Sequence, residues 1–410
     1  MRSAHRWTFK ARFRTNAYGW KGTGLASKRL KEAVSEIKKV AKSDPVLAGE
    51  GCIALMERLW PALQGIDSSS GALGRAVNRT LDSLIPMLIT APAELDIRTK
   101  WLERLYEAVC NDGVQYLTPV EERWGEICRS SELANEWADR ILPLLRQVWG
   151  EGSPGAHVVG DTLCLSCLLE TGRYHELDEV LCLRKVPFWH NDKFLAEALV
   201  RTGQVDKAIE YAEAHLERGY SEYDILDFCE RVLLEAERRE EAYQRYGLLS
   251  IIATNNLTVF RNTARKYAER DPRQVLLDLI SLRGEKGKWF AAAKDAGYLD
   301  IALECALTGE TEPKTLVRAA RDFAEKEPGF SAKVALTAIK SLLEGKGYEP
   351  STLDIREAYN HLLTAADKLG ATADVMFEVK RMLADDLLCM STAMREALVA
   401  KIEHPPVRIQ

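Results

Sequence analysis

The chain has 410 residues, 46% of them hydrophobic and 29% charged, with a formal net charge of −5. That balance excludes a disordered chain, and no run of about 18 apolar residues is present to span a membrane. The length exceeds an ordinary single compact domain, unless the chain is a solenoid that grows by adding units. The charge is unevenly placed: residues 1–42 hold twelve Lys and Arg against Glu32 and Glu36, a surplus of ten, so the other 368 residues sum to −15. A basic head on an acidic body can bind a polyanion or its own body.

The first segment, 1–24, is basic and aromatic. Within "RWTFKARFRTNAYGW" (6–20) Arg6, Lys10, Arg12 and Arg14, followed by Lys21, alternate with Trp7, Phe9, Phe13, Tyr18 and Trp20. Basic groups could track phosphates while the rings stack on bases, which makes these five cations candidate nucleic-acid or partner contacts. The competing expectation is a folded-in segment, its aromatics covering the open end of the first helices and its arginines outside or paired with acids. The segment lacks the apolar core of a secretory signal. It is Arg-rich like a transit peptide, but its Trp and Phe content and few serines argue against one. It also lacks the helical spacing of a membrane-surface anchor.

Nearly every later segment repeats at the helical period. In the N-terminal helical region, 25–149, Leu30, Val34, Ile37 and Ala41 form one stripe. Asp44-Pro45 reads as a cap and first helical residue, opening a helix with Ile53, Met56, Trp60 and Leu63 on its apolar face. The turn "IDSSSGALG" leads to a helix bearing Leu73, Val77, Leu81, Leu84 and Leu88. Further helices are expected at 95–110, 119–130 and 133–149. The Gly/Ser/Pro-rich stretch 150–157 reads as a loop or a boundary.

Region 158–402 shows a repeat. "TGRYHELDEVL", "TGQVDKAIEYA", "AERREEAYQRY" and "AGYLDIALECA" stack with Gly172, Gly203, Glu237 and Gly297 in register, and Leu177, Ala208, Ala242 and Ala302 five residues on. A helix ends, a turn follows, and a second helix packs through a small residue one turn in. The period near 34 residues is that of tetratricopeptide-like units, here degenerate because the early Trp and Tyr are missing. Helices are expected at 255–269, 272–282, 287–296, 313–326, 330–344, 351–369, 372–388 and 391–402, and an extended tail at 403–410. The expected fold is all-α: a right-handed superhelix, or α-solenoid, with a concave groove.

Candidate chemistry is sparse. "CLSC" places Cys164 and Cys167 one helical turn apart, with His157, His175, Cys182 and His190 nearby in sequence; zinc is conceivable, but the spacing favours core packing. "DSSSG" (67–71) could cradle phosphate, but reads better as the cap of the following helix. "KGKWFAAAKDAG" offers Lys286, Lys288 and Trp289 as contact candidates, or else a packed repeat helix with Trp289 and Phe290 inside. The seven histidines show no metal spacing, and no phosphate-loop, dinucleotide or kinase pattern occurs. Nine cysteines, mostly inside helical patterns, read as reduced thiols in a cytoplasmic protein.

"DPVLAGEGCIALMERLWPALQGIDSSSGALGRAVNRTLDSL", "AYQRYGL", "GKWFAAAKDAG" and "EPKTLVRAARDFAEK" resemble segments of an uncharacterised bacterial, proteobacterial, helical-repeat family of unknown function. The resemblance covers about residues 6–385. It implies an α-helical repeat protein without an assigned activity, and a stretch "RWTFKARFR" that belongs to the folded protein. The expected function is therefore a non-enzymatic scaffold holding a protein or peptide in its groove, with no cofactor. The alternative is a nucleic-acid-binding accessory protein that uses the basic segment.

Overall fold

A computed structural model of the chain describes residues 5–151, 158–216 and 222–403. The expected tail from 404 onward, His157 and most of the 150–157 loop lie outside them. Among the described residues all regular structure is helical, so the protein is all-α. The chain divides into two compact units, Met1–Ile225 and Leu226–Gln410. The stretch 150–157, expected as a loop or a boundary, falls within the sequence of the first unit. The helices on either side of it, Ser131–Gly150 and Asp161–Glu170, pack together.

In the first unit the basic, aromatic segment is folded in. Trp7, Phe9, Phe13 and Tyr18 are buried in the core. Both acids of the first 42 residues hold the segment down. Glu36, on helix Thr23–Ala41, accepts from the Thr8 amide at 2.7 Å, the Thr8 hydroxyl at 2.6 Å and the Phe9 amide at 3.2 Å, satisfying the open start of the short 3-10 helix Thr8–Ala11. Glu32 pairs with Arg12 and, at 2.8 Å, with Arg29. Backbone bonds from Asn16 to Pro61 (2.8 Å) and from Asp67 to Trp20 (3.0 Å) complete the docking. Trp7 lies on helix Pro45–Met56 where Gly51 leaves room; a Cβ there would sit 2.5 Å from the indole.

Helix Pro45–Met56 opens as expected, with Asp44 accepting from the Leu47 amide at 2.9 Å. It does not run on to Leu63: the chain breaks at Glu57–Arg58 and restarts as Leu59–Leu63. The expected "DSSSG" cap is met in part: the N-cap position of helix Ala72–Thr90 is Gly71 in left-handed conformation (φ 66°), and the Ser70 hydroxyl before it accepts from the Ala72 amide at 3.4 Å. Asp67 is occupied instead in closing its own turn, accepting from the Ser69 amide at 2.9 Å. Arg98 is buried and clamps three carbonyls, Leu88 at 3.2 Å, Ala91 at 2.5 Å and Ile127 at 2.7 Å. The guanidinium thus satisfies the free carbonyls where two helices end.

The repeat turns share one geometry in both units. Gly172, Gly203, Glu237 and Gly297 have φ of 71°, 78°, 60° and 89°. After each, the next amide reaches back five residues, as in Arg173 to Leu168 (2.9 Å), Gln204 to Leu199 (2.9 Å), Arg238 to Leu233 (2.8 Å) and Tyr298 to Ala293 (2.9 Å). This is a helix C-terminus closed by a six-to-one bond around a left-handed residue. Four residues later Leu177, Ala208, Ala242 and Ala302 donate the first bond of the next helix, at 2.9–3.0 Å, and all four are fully buried. Gly345 and Gly370 repeat the turn, with Lys346 bonded to Ser341 and Ala371 to Ala366.

The second unit has its own core, which includes Tyr243, Tyr267, Trp289 and Phe290. Glu230 is fully buried there and satisfied: Tyr267 donates at 2.6 Å, Ser250 donates to its other oxygen, and the Lys266 ammonium lies at 2.8 Å. The Trp289 contact role is corrected. Its ring is buried behind the 3-10 turn Lys286–Trp289, because Gly287 lets that turn press on the backbone of Glu310–Thr311.

Candidate functional site

Two regions of the first unit carry polar groups that the fold does not use up. The first is the outer face of helix Thr23–Ala41. Ala26, Leu30, Ala33 and Ile37 are buried on one side. Lys28, Lys31, Ser35, Lys38 and Lys42 follow at steps of three and four along the opposite, exposed side. None of these lysines forms an ion pair among the described residues.

The five cations singled out in the N-terminal segment are dispersed in role. Arg6, Arg14 and Lys21 are exposed, Lys10 is half-buried, and Arg12 is held by Glu32. Base stacking by Trp7, Phe9 and Phe13 is ruled out in this conformation by their burial; Trp20, 68% exposed, is the aromatic of that stretch left facing solvent. Lys286 and Lys288 are exposed, and Lys288 pairs with Glu285 at 2.6 Å.

The second region is a cavity of about 570 Å³. Its walls come from the turn after helix Leu95–Cys110, the short helix Thr118–Glu122, the start of Asp161–Glu170, and the segment entering Trp189–Arg201. Three carboxyl groups face it. Asp112 is anchored, accepting from the amides of Val114 (3.3 Å) and Leu117 (2.8 Å). Asp161 accepts from the Thr162 hydroxyl at 3.1 Å. Glu121 has neither a hydrogen-bond donor nor a cation at its carboxyl among the described residues. Burial, then the fields of Asp161, Asp112 and Glu122, push its pKa up to about 8. At neutral pH it is therefore mostly an uncharged acid.

The same cavity holds donors. Arg184 stacks over Trp149 (4.9 Å) and bonds the Asn191 Oδ1 at 2.6 Å. Asn191 is 3% exposed, and its Nδ2 has no acceptor among the described residues. His190 Nε2 lies 3.2 Å from the Thr162 hydroxyl, and burial together with the Lys193 ammonium lowers its pKa. Glu122 pairs with Lys193 at 2.6 Å, and the same oxygen lies 3.4 Å from the His190 Nδ1.

Sequence reasoning passed over this cluster. One signal was available: Glu121 shares a helical face with the buried Leu117, Val120 and Trp124, so its position is an apolar one. The expected continuous helix 119–130 hid it, because the chain breaks at Arg123 into Thr118–Glu122 and Trp124–Cys128.

Cys164 and Cys167 are both fully buried. Burial pushes the Cys164 thiol up to about 12; burial and then a hydrogen bond with Cys128 raise Cys167 well above its ordinary value. A thiolate ligand is disfavoured by such surroundings. No three His, Cys, Asp or Glu side chains among the described residues are placed to hold one metal ion. A buried Asp192–His215 pair (2.8 Å) is closed by the Tyr211 carbonyl and the Phe188 amide.

No protein-family model matches the chain, and no curated protein matches it.

Proposed function

We propose that this protein is a non-enzymatic helical-repeat scaffold that binds a protein or peptide partner. The observation that supports the reading is the recurrent left-handed turn at Gly172, Gly203, Glu237 and Gly297, each followed by a fully buried small or aliphatic residue. Units of that kind stack on their neighbours and leave an extended surface for recognition. The degenerate tetratricopeptide-like solenoid, the kinship with an uncharacterised bacterial repeat family and a cytoplasmic setting belong to the same proposal. Affinity purification of the full chain under native conditions tests it: a stoichiometric protein partner is expected, and a chain recovered alone from every extract would contradict it.

A second reading, nucleic-acid binding, is favoured by one observation. The unpaired lysines of Thr23–Ala41 form a single exposed face, with Trp20 exposed nearby in sequence. Lysines in such a row can neutralise successive phosphates. A band shift at low salt that weakens steeply with salt, and is lost in a Lys28→Glu/Lys31→Glu/Lys38→Glu variant, is the expected result. No shift with single- or double-stranded probes contradicts this reading.

A further inference from the structure

We propose that the cavity between Asp112, Glu121, Asp161 and Asn191 is a binding site for a small zwitterion of amino-acid size, whose ammonium pairs with Glu121 and whose oxyanion accepts from Asn191 and Arg184. Four observations carry this. The cavity, about 570 Å³, has the size of a small-molecule site. Three carboxyl groups face it, and that of Glu121 is unmatched by donor or cation among the described residues. Asn191 is buried in the lining with its Nδ2 unpaired among the described residues, an arrangement that costs stability unless something accepts from it. Arg184 fixes the Asn191 oxygen, so the amide cannot turn to relieve its nitrogen. The lining therefore offers negative charge and a donor pair in one enclosure, which matches a molecule with both an ammonium and an oxyanion. A single metal ion fits less well, because no three ligating side chains converge.

The site has a built-in signature. Glu121 keeps its proton near neutral pH, through burial and the carboxylates of Asp161, Asp112 and Glu122, with His190, Arg184 and Lys193 the basic groups on the facing elements. An arriving ammonium stabilises the ionised carboxylate, so the carboxyl proton leaves to solvent as the ion pair forms. Binding at pH 7 should release close to one proton. No covalent bond changes, and the proposal is independent of the partner-binding reading.

The test is titration calorimetry of the full-length chain at pH 7 with each of the twenty proteinogenic amino acids, in two buffers of different ionisation heat. Amines lacking the carboxylate, such as isoamylamine and phenethylamine, serve as comparison probes. The expected result is saturable binding of at least one amino acid, with a buffer-dependent heat corresponding to up to one proton released. Its amine counterpart should bind at least tenfold more weakly. Glu121→Gln, which keeps the shape and removes the acid, should abolish the proton release and weaken binding at least tenfold. Arg184→Gln should weaken the amino acid but not the amine. The proposal is overturned if none of the twenty binds, if binding survives Glu121→Gln with its proton release intact, or if amine and amino acid bind equally.

Discussion

Glu121 shows how one side chain can set a pH dependence. Its carboxyl titrates at about 8 in the folded protein, against 4.5 ordinarily. The folded state thus holds a proton that the unfolded chain has already lost above pH 4.5. Stability is therefore full below that value and declines until pH passes 8. Glu121→Gln lacks the decline. Urea denaturation at pH 5 and pH 8.5 should show the variant gaining roughly 2–4 kcal/mol on the wild type between the two; parallel pH profiles would show that Glu121 is not held protonated. At this scale the sequence was readable where a residue type matches its surroundings and opaque where it does not. Trp7, Phe9 and Phe13 could be expected inside once the acidic body was noticed. Glu121 could not be told from a solvated acid, because its half-buried place in the cavity wall depends on a helix break at Arg123. Trp289 was ambiguous for a similar reason: whether a basic, aromatic run faces solvent depends on how closely Gly287 lets the next segment approach.

At the scale of elements, the left-handed turn makes the repeat measurable. Gly203 sits at φ 78° with open space around it, so Gly203→Ala should cost only backbone strain, about 1 kcal/mol. Glu237 adopts the same conformation with a side chain, at φ 60°. Glu237→Gly should therefore stabilise by about 0.5–1 kcal/mol, despite the greater freedom glycine has when unfolded. Chemical denaturation of both variants checks the pair, and equal effects of the same sign would contradict a shared turn. Docking of the N-terminal segment is testable in the same way. Gly51→Ala would press on Trp7 and should cost about 1–3 kcal/mol, with faster proteolytic cleavage near Arg12 and Arg14. Most helices were legible because their apolar residues recur at the helical period. The interruption at Glu57–Arg58 carries a sign in Pro61, which has no N–H to give the Glu57 carbonyl, whereas that at Arg123, two residues before Gly125, carries only a weak one. The "DSSSG" turn was legible in part: Ser70 accepts from the first helical amide, while the left-handed entry through Gly71 was not visible in the pattern.

At the scale of the molecule, each unit has its own core. Unfolding should then depart from a single two-state transition. Tyr267→Phe removes a hydrogen bond to the buried Glu230 and should lower the transition of the second unit by about 1.5–3 kcal/mol, leaving the first in place. The shared turn geometry was visible in the sequence because turn and packing residues recur together. The boundary was not, because the glycine-rich 150–157 stretch advertises a loop, and a loop need not divide two cores. The scaffold reading makes one demand above the others. Full-length chain should be captured from native extract, treated with nuclease, and passed over a sizing column with light scattering. The account predicts a nuclease-resistant complex in which one protein accompanies the chain at fixed stoichiometry. Elution as the bare chain, or loss of the companion material on nuclease treatment, would contradict it.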